Sequence, residues 1–251
     1  MTGWVVVTGA SSGIGRAIAE GFLKEGRRVV AVARRADRLT ELTDVHGTDQ
    51  LRVEAVDVRD EDAVHGLLAG LDVDVLVNNA GLSLGLGPLS DGDPGDWRTM
   101  IDTNIAGVLA CTRAVLPGML AAGCGHIVNL GSLAAEHEYF GGNVYAASKA
   151  FVHHLSANLR VDVQGTGIRV TCVAPGMVRT EFAQVRFKGD AERADALYTG
   201  IQPLSSVDVA NAVLWACNTP PHVNINYVEL MSVDQPFGLS LSRSNTRRES
   251  P

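Results

Sequence analysis

Val5-Val6-Val7-Thr8-Gly9-Ala10-Ser11-Ser12-Gly13-Ile14-Gly15 decides the reading of this chain. Three successive valines are apolar at every position, as in a strand covered on both faces. The glycines follow at once, and Ile14, Ala17, Ile18, Gly21 and Phe22 then recur with helical spacing. A strand, a glycine-rich turn and a helix start in this order form a phosphate-binding turn: the backbone curls tightly, and free N–H groups with the helix dipole favour an anion. Gly9, Ser11, Ser12, Gly13, Ile14 and Gly15 are therefore candidate pyrophosphate contacts. Their spacing, Gly-x-x-x-Gly-x-Gly, differs from the commoner G-x-G-x-x-G.

Outward from this turn, short β-branched runs near 4–8, 29–33, 51–55, 74–77, 126–130, 168–174 and 226–231 alternate with helix-period segments. The pattern predicts an α/β fold, a single-domain, doubly wound parallel sheet of about seven strands, Rossmann-like. No repeat or linker interrupts residues 1–235, the dinucleotide-binding and catalytic domain; 236–251 form a polar C-terminal tail. Residues 180–205 read as a long irregular insertion after the sixth strand, where excursions usually cover a site. A net charge of −7 without a basic run argues against nucleic acid and anionic membranes. Cys111, Cys124, Cys172 and Cys217 lack metal-ligand spacing, so no metal site is expected, and scattered thiols fit the cytoplasm. The N-terminus lacks a leader pattern, and no continuous apolar run approaches about 18 residues, which argues against a membrane span.

The second strand ends Ala33-Arg34-Arg35, where NAD-binding folds usually place an acid on the ribose. Ala33 cannot accept from a 2′-hydroxyl. Arg34 and Arg35 can clamp a 2′-phosphate, which favours NADP(H), while Asp37 reads as a helix cap. Further on, Tyr145 and Lys149 lie one helical turn apart, so a phenol and an ammonium share a face. Such a pair is common by chance. The glycine turn, Asn78-Asn79-Ala80-Gly81 and Ser132 give it catalytic meaning. Reducing a carbonyl requires hydride and a proton; Tyr145 supplies the proton, and working near neutrality asks its pKa of about 10 to fall by roughly 3 units, with Lys149 and an oxidised nicotinamide as the sources. Ser132, closing the strand His126-Ile127-Val128-Asn129-Leu130, can donate to the substrate oxygen.

Thr8-Gly9-x-x-x-Gly13-x-Gly15, Asp57, Asn78-Asn79-Ala80-Gly81, Asn104, Ser132, Tyr145-x-x-x-Lys149 and Pro175-Gly176-Met177-Val178-Arg179-Thr180 occur in this order. Together they resemble the short-chain dehydrogenase/reductase family, over the chain to about Asp234. The resemblance implies that Asn79, Ala80 and Gly81 stabilise the sheet beside the adenosine and that Asp57 and Val58 flank the adenine. It further implies that Pro175, Gly176, Val178 and Thr180 hold the nicotinamide end, that Lys149 bonds the ribose, and that Asn104 holds a proton-relay water near Lys149. It also implies a homodimer or homotetramer packed through helices around 96–116 and 143–164. Within the family the chain is most similar to NADP-dependent 3-hydroxy acid dehydrogenases acting on serine or allo-threonine, through stretches such as Val185-Arg186-Phe187-Lys188-Gly189-Asp190 and Pro221-His222-Val223-Asn224-Ile225-Asn226. Arg186, with Arg179 as the second choice, is the candidate partner of a substrate carboxylate. Glu136-His137-Glu138-Tyr139-Phe140 departs from that group, and carboxylates there would suit a substrate amine. A reductase of a bulkier ketone, aldehyde or amino ketone, and a non-catalytic NADP-binding regulatory protein, stand as alternatives.

Overall fold

The computed structural model describes residues 3–236. The polar tail from 237 onward lies outside the described residues. Strands β1 (Trp4–Thr8), β2 (Arg28–Ala33), β3 (Leu51–Ala55), β4 (Val73–Asn78), β5 (Gly125–Leu130), β6 (Ile168–Pro175) and β7 (Tyr227–Leu230) form one sheet in the order β3-β2-β1-β4-β5-β6-β7. Every pairing is parallel. The strand order reverses between β1 and β4, and at such a switch point the carboxyl ends of the strands open a crevice.

Each strand feeds two cores because successive side chains point to opposite faces. Val5, Val7 and Val29 face α1 (Gly13–Lys24), α2 (Ala36–His46) and α9 (Ser206–Cys217), meeting Ile18, Phe22, Leu39, Leu42, Val209 and Val213. Val6, Val30, Leu76 and Ile127 face α3 (Glu61–Leu68), α5 (Gly107–Ala122) and α6 (Asn143–Asp162), meeting Val64, Cys111, Val115, Met119 and Leu159. Gly21 permits close crossing of α1 and α9, since a Cβ there would meet Leu214 Cδ1 at 2.7 Å.

Three elements differ from the sequence expectations. The helix expected around 96–116 is α4 (Pro94–Ile101) joined to α5 by a π turn at Asp102–Ala106, and α5 runs past Pro117 to Ala122. A mid-helix proline removes a hydrogen bond, but Val115 and Met119 on either side of it are buried in the core, and that packing holds the helix together. The whole of 94–122 matches a membrane span in length and hydropathy, yet its buried residues pack against β4, β5 and α3. The insertion expected to be irregular contains α7 (Phe182–Arg186) and α8 (Ala191–Ala196), separated by a turn in which Lys188 and Gly189 take positive φ. Asp190 starts α8 by accepting from Arg193 N–H. Asp37 does not cap α2: it lies within the first turn, where its charge complements the helix dipole, and Arg35 occupies the cap position.

Candidate active site

The crevice begins where β1 and β4 are stitched together. Thr8 Oγ1 accepts the N–H groups of Asn79 and Ala80, both at 3.0 Å, and Asn79 Nδ2 donates to Thr8 O at 2.8 Å. These bonds press Asn79 and Ala80 against the glycine turn. Gly9 has φ +67° and a Cβ there would lie 2.9 Å from Ala80 Cα; Gly13 has φ +56°. At Gly15 a Cβ would collide with the Gly9 carbonyl and Asn79. Ser12, the N-cap of α1, makes no side-chain capping bond, which leaves the first-turn N–H groups to an external acceptor.

A cleft of about 480 Å³ extends from this turn across the carboxyl edge of the sheet. Its walls carry Gly9, Ser11, Ser12, Gly13, Ile14, Arg34, Arg35, Asp57, Val58, Asn79, Ala80, Gly81, Ser132, Tyr145, Lys149, Pro175, Gly176, Val178 and Thr180. Of the residues expected to contact the cofactor, the structure brings all but Gly15 to this one surface; Gly15 lies beneath it, packed on Gly9 and Asn79. Arg35 donates from Nη2 to Ser12 Oγ at 2.8 Å and from Nη1 to Glu181 Oε2 at 2.9 Å, linking the turn to the segment after β6. The Arg59 guanidinium, 2.6 Å from Asp57, holds that carboxyl below its ordinary range.

Beside it lies a smaller cavity of about 240 Å³, and the two share Ser132, Tyr145, Gly176, Val178 and Phe182. Tyr145 is buried on the inner face of α6, its ring 5.5 Å from that of Phe182 and 5.2 Å from the Arg186 guanidinium carbon. Burial raises the phenol above its ordinary value; the Arg186 charge and a hydrogen bond with Ser132 pull it down. The cation acting on Tyr145 is thus Arg186. Lys149 Nζ is instead directed to the Leu130 carbonyl at 2.7 Å.

Burial also brings the Lys149 ammonium from 10.5 down to about 8. Between these pH values the unfolded chain binds a proton that the folded chain has released, so folding stability rises with pH from 8 to 10.5. A Lys149→Met variant lacks this titration, and the wild type is expected to gain up to about 3 kcal/mol on it over that interval. Denaturant melts of the two that stay parallel through the interval would refute the assignment.

A family model described as short chain dehydrogenase matches residues 3–191. The chain belongs to this family. NADP-dependent 3-hydroxy acid dehydrogenase YdfG of Salmonella typhi is 50% identical over 247 residues, with 96% of this chain and 99% of the relative covered. Serine 3-dehydrogenase of Rhizobium radiobacter is 46% identical, with 94% and 96% covered. Among solved structures, the closed form of serine dehydrogenase complexed with NADP+ is similar at a TM-score of 0.91 and 47% identity, covering 96% of this chain and 99% of that one.

In this short-chain dehydrogenase, four further candidates line neither cavity: Asn104, Arg179, Glu136 and Glu138. Asn104 borders neither cavity. Fully buried at the π turn, its Oδ1 accepts Leu82 N–H at 2.9 Å and its Nδ2 donates to Leu82 O and Ser148 Oγ, so its side chain is a clamp between α6 and the loop after β4. Ser148 in turn donates to Tyr145 O at 2.7 Å. Arg179 also borders neither cavity: it pairs with exposed Asp195 at 3.3 Å and stacks on Tyr198. Glu136 and Glu138 are exposed and outside both linings, Glu136 lying 2.9 Å from His153 Nδ1. That loop contributes Tyr139 instead.

Sequence reasoning missed Tyr139, Phe182, Tyr198 and Gln235, all on the wall of the smaller cavity. The aromatics had a usable signal, since they sit in the two segments already suspected of bordering the pocket. Gln235 had none, being a single polar residue after the last strand.

Proposed function

We propose that the protein is an NADP(H)-dependent oxidoreductase interconverting an alcohol and its carbonyl, with a 3-hydroxy acid such as serine or allo-threonine as substrate. One observation carries this reading: Ser132 and Tyr145 stand on the wall common to both cavities, with the Arg186 guanidinium packed against the phenol.

The large cleft fits the cofactor. Side-chain-free Gly9 and Gly13, with the uncapped start of α1, suit a pyrophosphate. Arg34 and Arg35 would hold the 2′-phosphate, Asp57 and Val58 the adenine, and Pro175, Gly176, Val178 and Thr180 the nicotinamide end. When bound, NADP(H) supplies or accepts the hydride. Tyr145 delivers or removes the proton at the substrate oxygen, and Ser132 donates to that oxygen as negative charge develops. Lys149 would orient the ribose, while the positive charge at the phenol comes from Arg186. Asn104 serves the centre by fixing Ser148 and the loop at Leu82 rather than by touching substrate. Arg186 receives the carboxylate: a small cavity with one guanidinium in an otherwise mainly apolar wall favours an anionic substrate.

The names of the relatives, an NADP-dependent 3-hydroxy acid dehydrogenase and a serine dehydrogenase complexed with NADP+, agree with this assignment. The apolar remainder of the cavity supports a second reading, a reductase of a bulkier ketone or aldehyde. The amino-ketone reading loses its support with Glu136 and Glu138 off the wall. Exposed Ile101, Leu109 and Phe151 on the helices expected to pack between subunits favour a homodimer or homotetramer. Four unpaired cysteines favour the cytoplasm.

A panel of hydroxy acids, amino alcohols and ketones, followed by absorbance of the reduced nicotinamide, tests the reading; turnover of neutral ketones alone would overturn it. Arg186→Ala is expected to raise KM for the hydroxy acid about ten- to hundred-fold. An unchanged KM would remove Arg186 from the assignment.

A further inference from the structure

Gln235 follows β7 in a tight turn, its N–H bonded to Ser232 O at 3.1 Å, and is only 4% exposed. Its side chain lies flat on Gly176, where a Cβ would meet Gln235 Cδ at 3.1 Å. Oε1 accepts Met177 N–H at 2.7 Å. That bond fixes the orientation of the amide, since the reverse would oppose two donors. Nε2 then presents two N–H donors, and among the described residues neither finds an acceptor. Buried amide nitrogens are nearly always paired, so an unpaired one on a cavity wall points to a ligand.

Gln235 borders the smaller cavity together with Arg186. Arg186 uses Nε on Ser83 Oγ at 3.1 Å and Nη2 on Tyr139 OH at 3.2 Å, and among the described residues Nη1 donates to nothing. No carboxylate lines this cavity among the described residues. Its volume, about 240 Å³, lies below the roughly 300–1,000 Å³ of typical ligand pockets, which suits a small substrate.

We propose that Gln235 Nε2 is a second anchor for the substrate carboxylate, acting with the Arg186 guanidinium to select acids over neutral alcohols. The inference rests on the 3-hydroxy acid reading of this site. The two donors divide the work: Arg186 supplies charge, and the uncharged amide supplies direction, fixing how the acid lies relative to Ser132 and Tyr145.

Two variants separate the donor from the fold. Gln235→Glu keeps an acceptor for Met177 N–H and removes the donor; Gln235→Met removes both at similar volume. In each, the ratio of kcat/KM for a 3-hydroxy acid to that for its methyl ester is expected to fall at least about ten-fold, a loss of one charge-assisted hydrogen bond. NADP+ affinity, read by fluorescence, is expected to hold. Equal losses on acid and ester, or loss of NADP+ binding, would show a merely structural glutamine and overturn the proposal. Calorimetric binding of propanoate to the NADP+ complex reads the anchor without turnover. Binding by the wild type that weakens in both variants supports the anchor even if no hydroxy acid reacts, whereas equal binding by all three proteins, or none by the wild type, sinks it.

Discussion

Tyr145→Phe is expected to lower kcat by about 10²- to 10⁴-fold while leaving the fold and cofactor affinity intact, because it deletes only the proton donor. The phenylalanine ring retains its packing on Phe182 and Arg186, so thermal stability should change little. The direction of the pH dependence follows from the site. Burial outweighs Arg186 and Ser132 and holds the phenol above its ordinary pKa, so it stays protonated through neutrality. Carbonyl reduction, which needs the acid, should then run on a plateau at neutral pH. Alcohol oxidation, which needs the phenolate, should climb toward alkaline pH. Steady-state rates in both directions across the pH range check this; a phenylalanine variant retaining more than a tenth of the wild-type rate would remove Tyr145 from the mechanism.

Replacing both Arg34 and Arg35 by alanine is the second large change. Each guanidinium contributes charge-assisted hydrogen bonds of about 1.5–3 kcal/mol to a phosphate, so NADP(H) affinity should fall about 10²-fold or more. NAD(H), lacking that phosphate, should lose far less, and the cofactor preference should narrow or invert. Glu181 shapes the result: its bond to Arg35 competes with the phosphate in the free protein, so removing Arg35 leaves a carboxylate at the cleft wall that repels NADP(H) further. Folding stability should barely move, because the Arg35–Glu181 pair is substantially exposed. Titration of both cofactors by fluorescence decides the matter; equal losses for NADP(H) and NAD(H) would show that these arginines do not read the 2′-phosphate.

What could be read along the chain is what a single element encodes. Apolar runs at 5–7, 29–33 and 126–130 demanded strands covered on both faces, and Gly9, Gly13 and Gly15 demanded a turn that no side chain could occupy. Tyr145 and Lys149 are one helical turn apart whatever surrounds them. Seven parallel strands therefore followed from local periodicity and the glycine turn from spacing, whereas Asp57, Val58, Asn79 and the 175–180 segment came from the family resemblance. The extent of α5 past Pro117 followed from none of these, because burial of Val115 and Met119 overrides the local cost of proline.

Contacts between distant segments were decided only by the tertiary structure. Asn104, to which the resemblance assigns a relay water near Lys149, is aimed by the π turn at Leu82 and Ser148. Arg186 is the first choice over Arg179 in sequence, and the packing of α7 over Tyr145 is what brings its guanidinium to the pocket and leaves Arg179 on Asp195. Lys149 turns to the Leu130 carbonyl, so the phenol meets a cation from another segment. Gln235 reaches the cavity only because β7 closes the sheet beside β6. The sequence by itself thus determined the scaffold and the reacting pair; which side chains surround the substrate was set by how the 180–205 segment and the end of β7 fold back over the sheet, since no periodicity records a contact between separate elements.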